Sequence, residues 1–198
     1  MVKQKKRFLA SFSVFHIIII AVCAGLGIAI KPVLVPLVHI VTGPLFIPGG
    51  AVVGGFYMLF IVVAAGLTGK RWAATLTCVT QALLVLITGV IGSHGIMSVA
   101  TYILPGVVVD LLLILIKNRA HNAIGCFFGG MAANLTGTFL SNLVFFRLPF
   151  VPLMLTLFAG ALSGALGGLI AYTIIKNLRA YDPALLTGGK KEEKANEK

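Results

Sequence analysis

The chain consists mainly of long apolar runs separated by short polar turns, and one of these runs carries an acid. Residues 96–117 have the sequence IMSVATYILPGVVVDLLLILIK, which is long enough to cross the hydrocarbon core of a bilayer. Of the 198 residues, 59% are hydrophobic and 11% are charged, whereas about a quarter of the residues in soluble domains are charged. The pattern predicts a multi-pass protein of the cell membrane with almost no soluble domain.

Six apolar runs of this kind predict an all-α membrane protein, a bundle of six transmembrane helices. The expected limits of the helices are residues 8–30, 44–67, 73–91, 96–117, 123–146 and 151–176. Between the first two runs, residues 31–43 contain Pro32 and Pro36. Two prolines in so short a stretch favour a partly buried loop over a further regular helix.

The basic residues predict which side of the membrane holds each turn. With six crossings, every Lys and Arg except Lys31 and Arg147 falls on one side, in the basic N-terminal segment 1–7, in alternate turns, or at the end of the last helix and in the polar tail 179–198. Basic residues mark the cytoplasmic side, so both termini are expected inside, flanking a transmembrane domain at 8–178. The net charge of +11 therefore indicates a bilayer as partner and no nucleic acid.

Asp110 is the only carboxylate before the tail, and it lies in an apolar run. A charge in hydrocarbon costs roughly 2.5–3.5 kcal/mol on insertion scales and usually marks a pathway or a ligand. Pro105, just upstream, cannot donate its helical hydrogen bond and frees a backbone carbonyl. The helical rise places Tyr57 and Gln81 at a similar level on other helices. All three are predicted substrate-binding residues, and the alternative is a hydrogen-bond cluster that only holds helices together.

A polar stripe on the fifth predicted helix adds further candidates for substrate binding. Asn134, Thr138 and Asn142 follow one another at four-residue spacing, so they share one helix face. Tyr102 lies near the outer end of the Asp110 helix and can stack on a flat ring. The stripe predicts an outward-opening, polar cavity, and pairing with neighbouring helices is the alternative.

Small residues recur at four-residue spacing on the first and the last predicted helix. On the first helix these are Ala21, Gly25 and Ala29, and on the last they include Gly160 and Gly164. Such stripes let helices approach closely. Internal packing accounts well for the last helix, while for the first helix docking onto another subunit and internal packing are both open.

Motifs for catalysis or cofactor binding are not evident in the sequence. It contains no GxxxxGK[ST] nucleotide loop, no HExxH and no paired carboxylates. Cys23, Cys78 and Cys126 all lie in apolar runs without CxxC spacing, which indicates small buried hydrophobes. We expect neither enzyme activity nor a cofactor or metal.

Several stretches resemble a known class of membrane protein. They are GPLFIPGG to TGKRWAA, the turn GSHG, PGVVVDLLL with its acid after a Gly, and ALSGALGG, within residues 43–178. Together with six short spans and the small-residue stripe, they resemble an S component, the substrate-binding subunit of energy-coupling factor (ECF) vitamin transporters. The nearest type is the one for thiamine and hydroxymethylpyrimidine.

The resemblance implies capture of a vitamin or vitamin precursor from outside and toppling of the subunit in the membrane. It also implies partners, namely a transmembrane coupling subunit and two ATPase subunits that supply the energy. The docking stripe would be Ala21, Gly25 and Ala29. Two other functions stay open from the sequence, a stand-alone small-solute permease and a membrane assembly or scaffold protein whose polar residues only hold helices together.

Overall fold

A computed structural model describes residues 12–88, 97–117 and 120–181, and every regular element in these ranges is a helix. The α-helices are α1 Val14–Thr42, α2 Gly49–Val52, α3 Gly54–Thr68, α4 Ala73–Thr88, α5 Met97–Leu115, α6 Ala123–Ser141 and α7 Phe150–Tyr181. The all-α class is therefore confirmed for the described part of the chain. The basic segment 1–7, the turn that contains His94 and most of the tail lie outside the described residues.

Three helical stretches are long and apolar enough to cross a membrane. They are Val14–Leu45, Ala123–Phe146 and Phe150–Tyr181. Three further stretches are apolar but shorter, Gly54–Thr68, Ala73–Thr88 and Val99–Leu115. These segments match the predicted runs in order, while the count of six crossings and the side of each terminus remain predictions.

The segment 31–43 is helical, so its prediction as a loop was wrong. α1 continues through Pro32 and Pro36 as far as Thr42. Each proline removes only one hydrogen bond from the helix, and its fixed φ is compatible with helical backbone. In an apolar environment the remaining backbone groups have no water to bind, so keeping their helical bonds is the favourable choice. Because of this extension, the last third of α1 forms part of the wall of a large cavity that is described below.

The second predicted helix, 44–67, is interrupted where the sequence is rich in Pro and Gly. A short 3₁₀ turn at Gly43–Leu45 ends with Phe46 in the left-handed region, at φ 57°, before the four-residue helix α2. Val53 then breaks the helical path between α2 and α3. The interruption leaves backbone carbonyls near the cavity to be satisfied by side chains from other helices.

α3 is the central helix of the bundle, and twelve of its fifteen residues are buried. It approaches α7 through glycine, because a Cβ on Gly55 would collide with the backbone of Ser163 and a Cβ on Gly167 would collide with the backbone of Gly55. Gly164 in turn lies against the backbone of Gly130 on α6. The glycines of α7 therefore serve internal packing, as the sequence predicted.

The outer surface of the described bundle is strongly apolar. Large side chains such as Ile40, Ile87, Leu115 and Phe158 are between 65% and 81% exposed. A soluble domain rarely leaves so many large apolar side chains in contact with water, and lipid tails are the natural neighbours of such a surface. The three cysteines are free thiols in the buried interior, as expected.

Candidate functional site

A cavity of about 670 Å³ opens at the end of the bundle where α1 and α6 end and α5 and α7 begin. Its walls come from the last third of α1, the α2 region, the first residues of α3 and α5, and the end of α6. The lining is mostly apolar, with a few polar groups that converge on the same space. Size and lining are those of a small-molecule site, since such sites typically measure roughly 300–1,000 Å³.

The polar centre of this cavity is Lys31 on α1, which lies between two tyrosines. The Lys31 ammonium donates a hydrogen bond of 2.8 Å to the hydroxyl of Tyr102. It also lies 4.3 Å from the centre of the Tyr102 ring and 5.4 Å from that of Tyr57. Both distances are within the range of a cation–π interaction. The ammonium is thus held by aromatic faces and one hydroxyl from α3 and α5.

Tyr57 and His39 fix the backbone of the α2 region against the rest of the site. The Tyr57 hydroxyl donates to the carbonyl of Gly50 at 2.8 Å, so this hydroxyl is committed to the protein. The Nδ1 of His39 accepts a hydrogen bond of 3.3 Å from the amide of Gly49. The neutral imidazole then carries its proton on Nε2, at the rim of the cavity.

Four of the seven predicted substrate-binding residues line this cavity, namely Tyr57, Tyr102, Thr138 and Asn142. Gln81 lines a smaller cavity of about 40 Å³ that shares Lys31 and both tyrosines with the large one. The structure therefore brings five predicted residues from four helices to one end of the bundle. The side-chain oxygen of Asn142 is already engaged within the protein, because this Oδ1 accepts a hydrogen bond of 2.9 Å from the amide of Leu148.

Asn134 lies behind the cavity wall and connects three elements. Its Nδ2 donates to the carbonyl of Ala51 at 2.9 Å and to the carbonyl of Gly160 at 2.8 Å. The first of these carbonyls belongs to α2, next to the helical break at Val53. With 1% of its surface exposed, Asn134 fits the helix-pairing alternative better than direct ligand contact.

Asp110 does not line the large cavity. It is 3% exposed, and its Oδ2 accepts hydrogen bonds of 2.7 Å from both the amide and the hydroxyl of Thr75. Thr75 is the third residue of α4, where backbone amides have no partner within the helix. Asp110 lines a separate cavity of about 170 Å³, and the other residues that line it include Lys70, Arg71 and Lys117. The placement favours a structural acid at the N-terminus of α4.

Sequence reasoning missed Lys31 and His39 because it assigned residues 31–43 to a loop. One signal was present in the sequence. Lys31 and Arg147 are the basic residues that fall opposite the predicted cytoplasmic side. A cation that departs from this rule inside an apolar stretch is itself a candidate for function.

The predicted docking stripe on α1 faces outward. Ala21 and Ala29 are exposed, and a Cβ on Gly25 would meet no atom within 4 Å. On the opposite face Ala24 and Gly27 are buried, and a Cβ on Gly27 would collide with the side chain of Gln81. α1 therefore packs on the bundle through Ala24 and Gly27 and leaves the other small-residue face without a partner among the described residues.

No model of a known protein family matches the sequence, and no curated protein matches it. The fold is similar to that of a solved crystal structure described as an S component of an ECF transporter, with a TM-score of 0.73. The identity is 20%, over 94% of this chain and 95% of that chain. The chain thus has the fold of such a subunit over nearly its whole length.

Proposed function

We propose that the chain is the substrate-binding membrane subunit of an ECF-type importer and that it captures a vitamin or vitamin precursor. The observation that carries the proposal is the 670 Å³ cavity at one end of an S-component-like bundle. A protein that only held other subunits together would have no need of a ligand-sized cavity with converging polar groups. Energy for uptake would come from a coupling subunit and two ATPase subunits.

The proposed substrate-binding residues are those that converge on the cavity. Lys31 and Tyr102 form its polar centre, and Tyr57 offers a ring face beside them. Thr138 near the end of α6 contributes a hydroxyl group, and Asn142, at the start of the π-helical turn Asn142–Phe146 that follows α6, contributes an amide group. Gln81 supports this group from the adjoining small cavity, while Asn134 and Asp110 are assigned to holding the helices in place.

The predicted membrane orientation agrees with capture from outside. The turn between α3 and α4 carries Lys70 and Arg71, and the positive-inside rule predicts that it is cytoplasmic. The cavity lies at the other end of the bundle, with Phe146 in its wall. Under this orientation the substrate enters from the outer side, as a capturing subunit requires.

The outward face of α1 is the proposed contact with the coupling subunit. Ala21, Gly25 and Ala29 present a strip without large side chains, on which another helix can approach closely. Gly25 lies at its centre, and its Cβ position is open. The part of α1 that lines the cavity begins at Ile28, three residues after Gly25, so a substitution of Gly25 can test docking separately from binding.

A screen of purified protein against vitamins tests the proposal. Thermal stabilisation by one compound is expected, and the resemblance makes thiamine and hydroxymethylpyrimidine the first two to include. Ser141→Trp should abolish the stabilisation, since Ser141 lines the cavity. The matched control is Leu143→Trp, because Leu143 is 61% exposed on the same segment and its replacement should leave the stabilisation intact.

Uptake measurements separate the proposal from its rivals. Vesicles that contain the chain alone should bind but not accumulate the compound, and accumulation should require the coupling and ATPase subunits together with ATP. Accumulation by the chain alone would establish a permease instead. Absence of stabilisation by every vitamin would argue for the scaffold function.

A further inference from the structure

In the described part of the chain, the large cavity contains one lysine ammonium and no acidic side chain to balance it. Lys31 lines the cavity, and no Asp or Glu lines it among residues 12–88, 97–117 and 120–181. Before residue 179 the sequence contains one carboxylate, Asp110. That group is occupied by Thr75 at the N-terminus of α4, so the helical part of the chain offers Lys31 no acidic partner.

Lys31 is directed into the bundle. A lysine near a membrane surface often extends its ammonium towards water while its stem stays in the apolar region. Here the ammonium contacts Tyr57 of α3 and Tyr102 of α5, both of which line the cavity. These groups stabilise a cation, yet none of them neutralises it, and a half-buried cation gains from an opposite charge beside it.

The ammonium also has donors to spare. A lysine ammonium carries three N–H groups, and one of them is used by the hydroxyl of Tyr102. Among the described residues, Lys31 makes no other hydrogen bond. An incoming anion would therefore find a positioned charge with unused donors, next to apolar walls that can hold the body of a small molecule.

We infer that the substrate is a small organic acid whose carboxylate pairs with Lys31, and this inference rests on the proposed function. A single ammonium suits a monoanion, whereas phosphate groups carry more charge and are typically bound by several donors. A cationic substrate would lie beside a like charge in a site of low dielectric constant. The geometry therefore favours a carboxylate vitamin over thiamine, whose ring is positively charged.

Matched pairs of acids and neutral analogues test the charge directly on the wild-type protein. Suitable pairs are nicotinate with nicotinamide, biotin with its primary amide, and pantothenate with pantothenol, with thiamine and hydroxymethylpyrimidine as further probes. Thermal shift finds the compound that binds, and calorimetry measures its affinity. We expect an acid to bind, with its neutral analogue at least tenfold weaker.

Two substitutions then locate the effect. Lys31→Gln should weaken binding of the acid at least tenfold and bring its affinity close to that of the neutral analogue, while Lys31→Arg should restore part of the difference. Arg147→Gln is the matched control, because it removes one positive charge at the same end of the bundle from an exposed residue. It should change the affinity by less than twofold.

The outcomes distinguish this inference from the function on which it rests. Binding of thiamine or a neutral compound in preference to every acid would overturn the inference and leave a substrate-binding subunit in place. The same holds if an acid binds equally well to Lys31→Gln and to the wild type. If none of these probes and no other vitamin binds, the proposed function fails and the inference fails with it. The acid-to-neutral ratio needs no variant, so a poorly folding Lys31→Gln protein would not prevent the test.

Discussion

Replacing Asp110 with Asn separates a structural acid from a ligand-binding one. In the structure one carboxylate oxygen accepts two hydrogen bonds of 2.7 Å from Thr75, in a position that is 3% exposed. Hydrogen bonds to a charged group contribute about 1.5–3 kcal/mol each and are roughly twice as strong as neutral ones. Asn keeps an acceptor but not the charge, so about half of the total should be lost.

The expected cost is therefore about 2–3 kcal/mol, which includes the weaker interaction with the N-terminal dipole of α4. For a domain of this size 1 kcal/mol corresponds to a shift in melting temperature of about 2–4 °C. Asp110→Asn should thus melt about 4–12 °C below the wild type in the absence of ligand. Its affinity for the cavity ligand should change by less than twofold, because Asp110 does not line that cavity.

Thr75→Val is the companion variant for this measurement. It removes the hydroxyl donor and leaves the amide donor in place, so it removes one of the two bonds and should cost about 1.5–3 kcal/mol, close to the cost of Asp110→Asn. The double variant should lose less stability than the sum of the losses in the two single variants, since both substitutions affect the same hydroxyl hydrogen bond. An unchanged melting temperature together with a tenfold weaker ligand affinity for Asp110→Asn would refute the structural assignment and return Asp110 to the binding site.

Three further predictions address the other faces of the bundle. Gly25→Leu should leave the melting temperature unchanged and reduce co-purification with coupling subunits at least tenfold. Gly27→Leu should destabilise the isolated chain, because its side chain would enter the space of buried Gln81 and press on the backbone carbonyl of Tyr57. Equal behaviour of the two variants would contradict the division of α1 into two faces. Asn134→Leu should lower stability by about 1–3 kcal/mol, because the carbonyls that it serves lose their partner in the interior, and an unaltered unfolding curve would count against this. Tags at the two termini should both resist external protease in intact cells, and removal of either would contradict six crossings.

The sequence was sufficient for the all-α class and for the order of the helices, because apolar runs act locally. The order of the helices follows from hydrophobicity, and two residues of the predicted polar stripe, Thr138 and Asn142, line the cavity. The contacts that a side chain makes with other helices could not be predicted in this way. The position of Asp110 opposite the first turn of α4 depends on how α4 and α5 pack, which spacing along one helix does not encode.

The misassigned segment 31–43 shows a second limit. Pro32 and Pro36 are reliable signs of a helix end in water, where freed carbonyls and amides find solvent. In an apolar environment the same residues are tolerated within a helix, and α1 continues through both. Lys31 was therefore left out of the predicted site, although its charge was the exceptional feature of that stretch.

The continuity of α1 has a mechanical consequence. Gly25 and His39 are fourteen residues apart on this helix, or about 21 Å. Between them, the two prolines each leave one rung of the hydrogen-bond ladder open, and helices bend most readily at such positions. The last third of α1 should therefore bend more easily than the part before Pro32. A bend of about 10° at Pro32 would move the His39 rim by about 2 Å, given about 10 Å of helix between them, while the small-residue face below stayed still. Such a bend would change the width of the cavity mouth and leave the face of α1 around Gly25 in place.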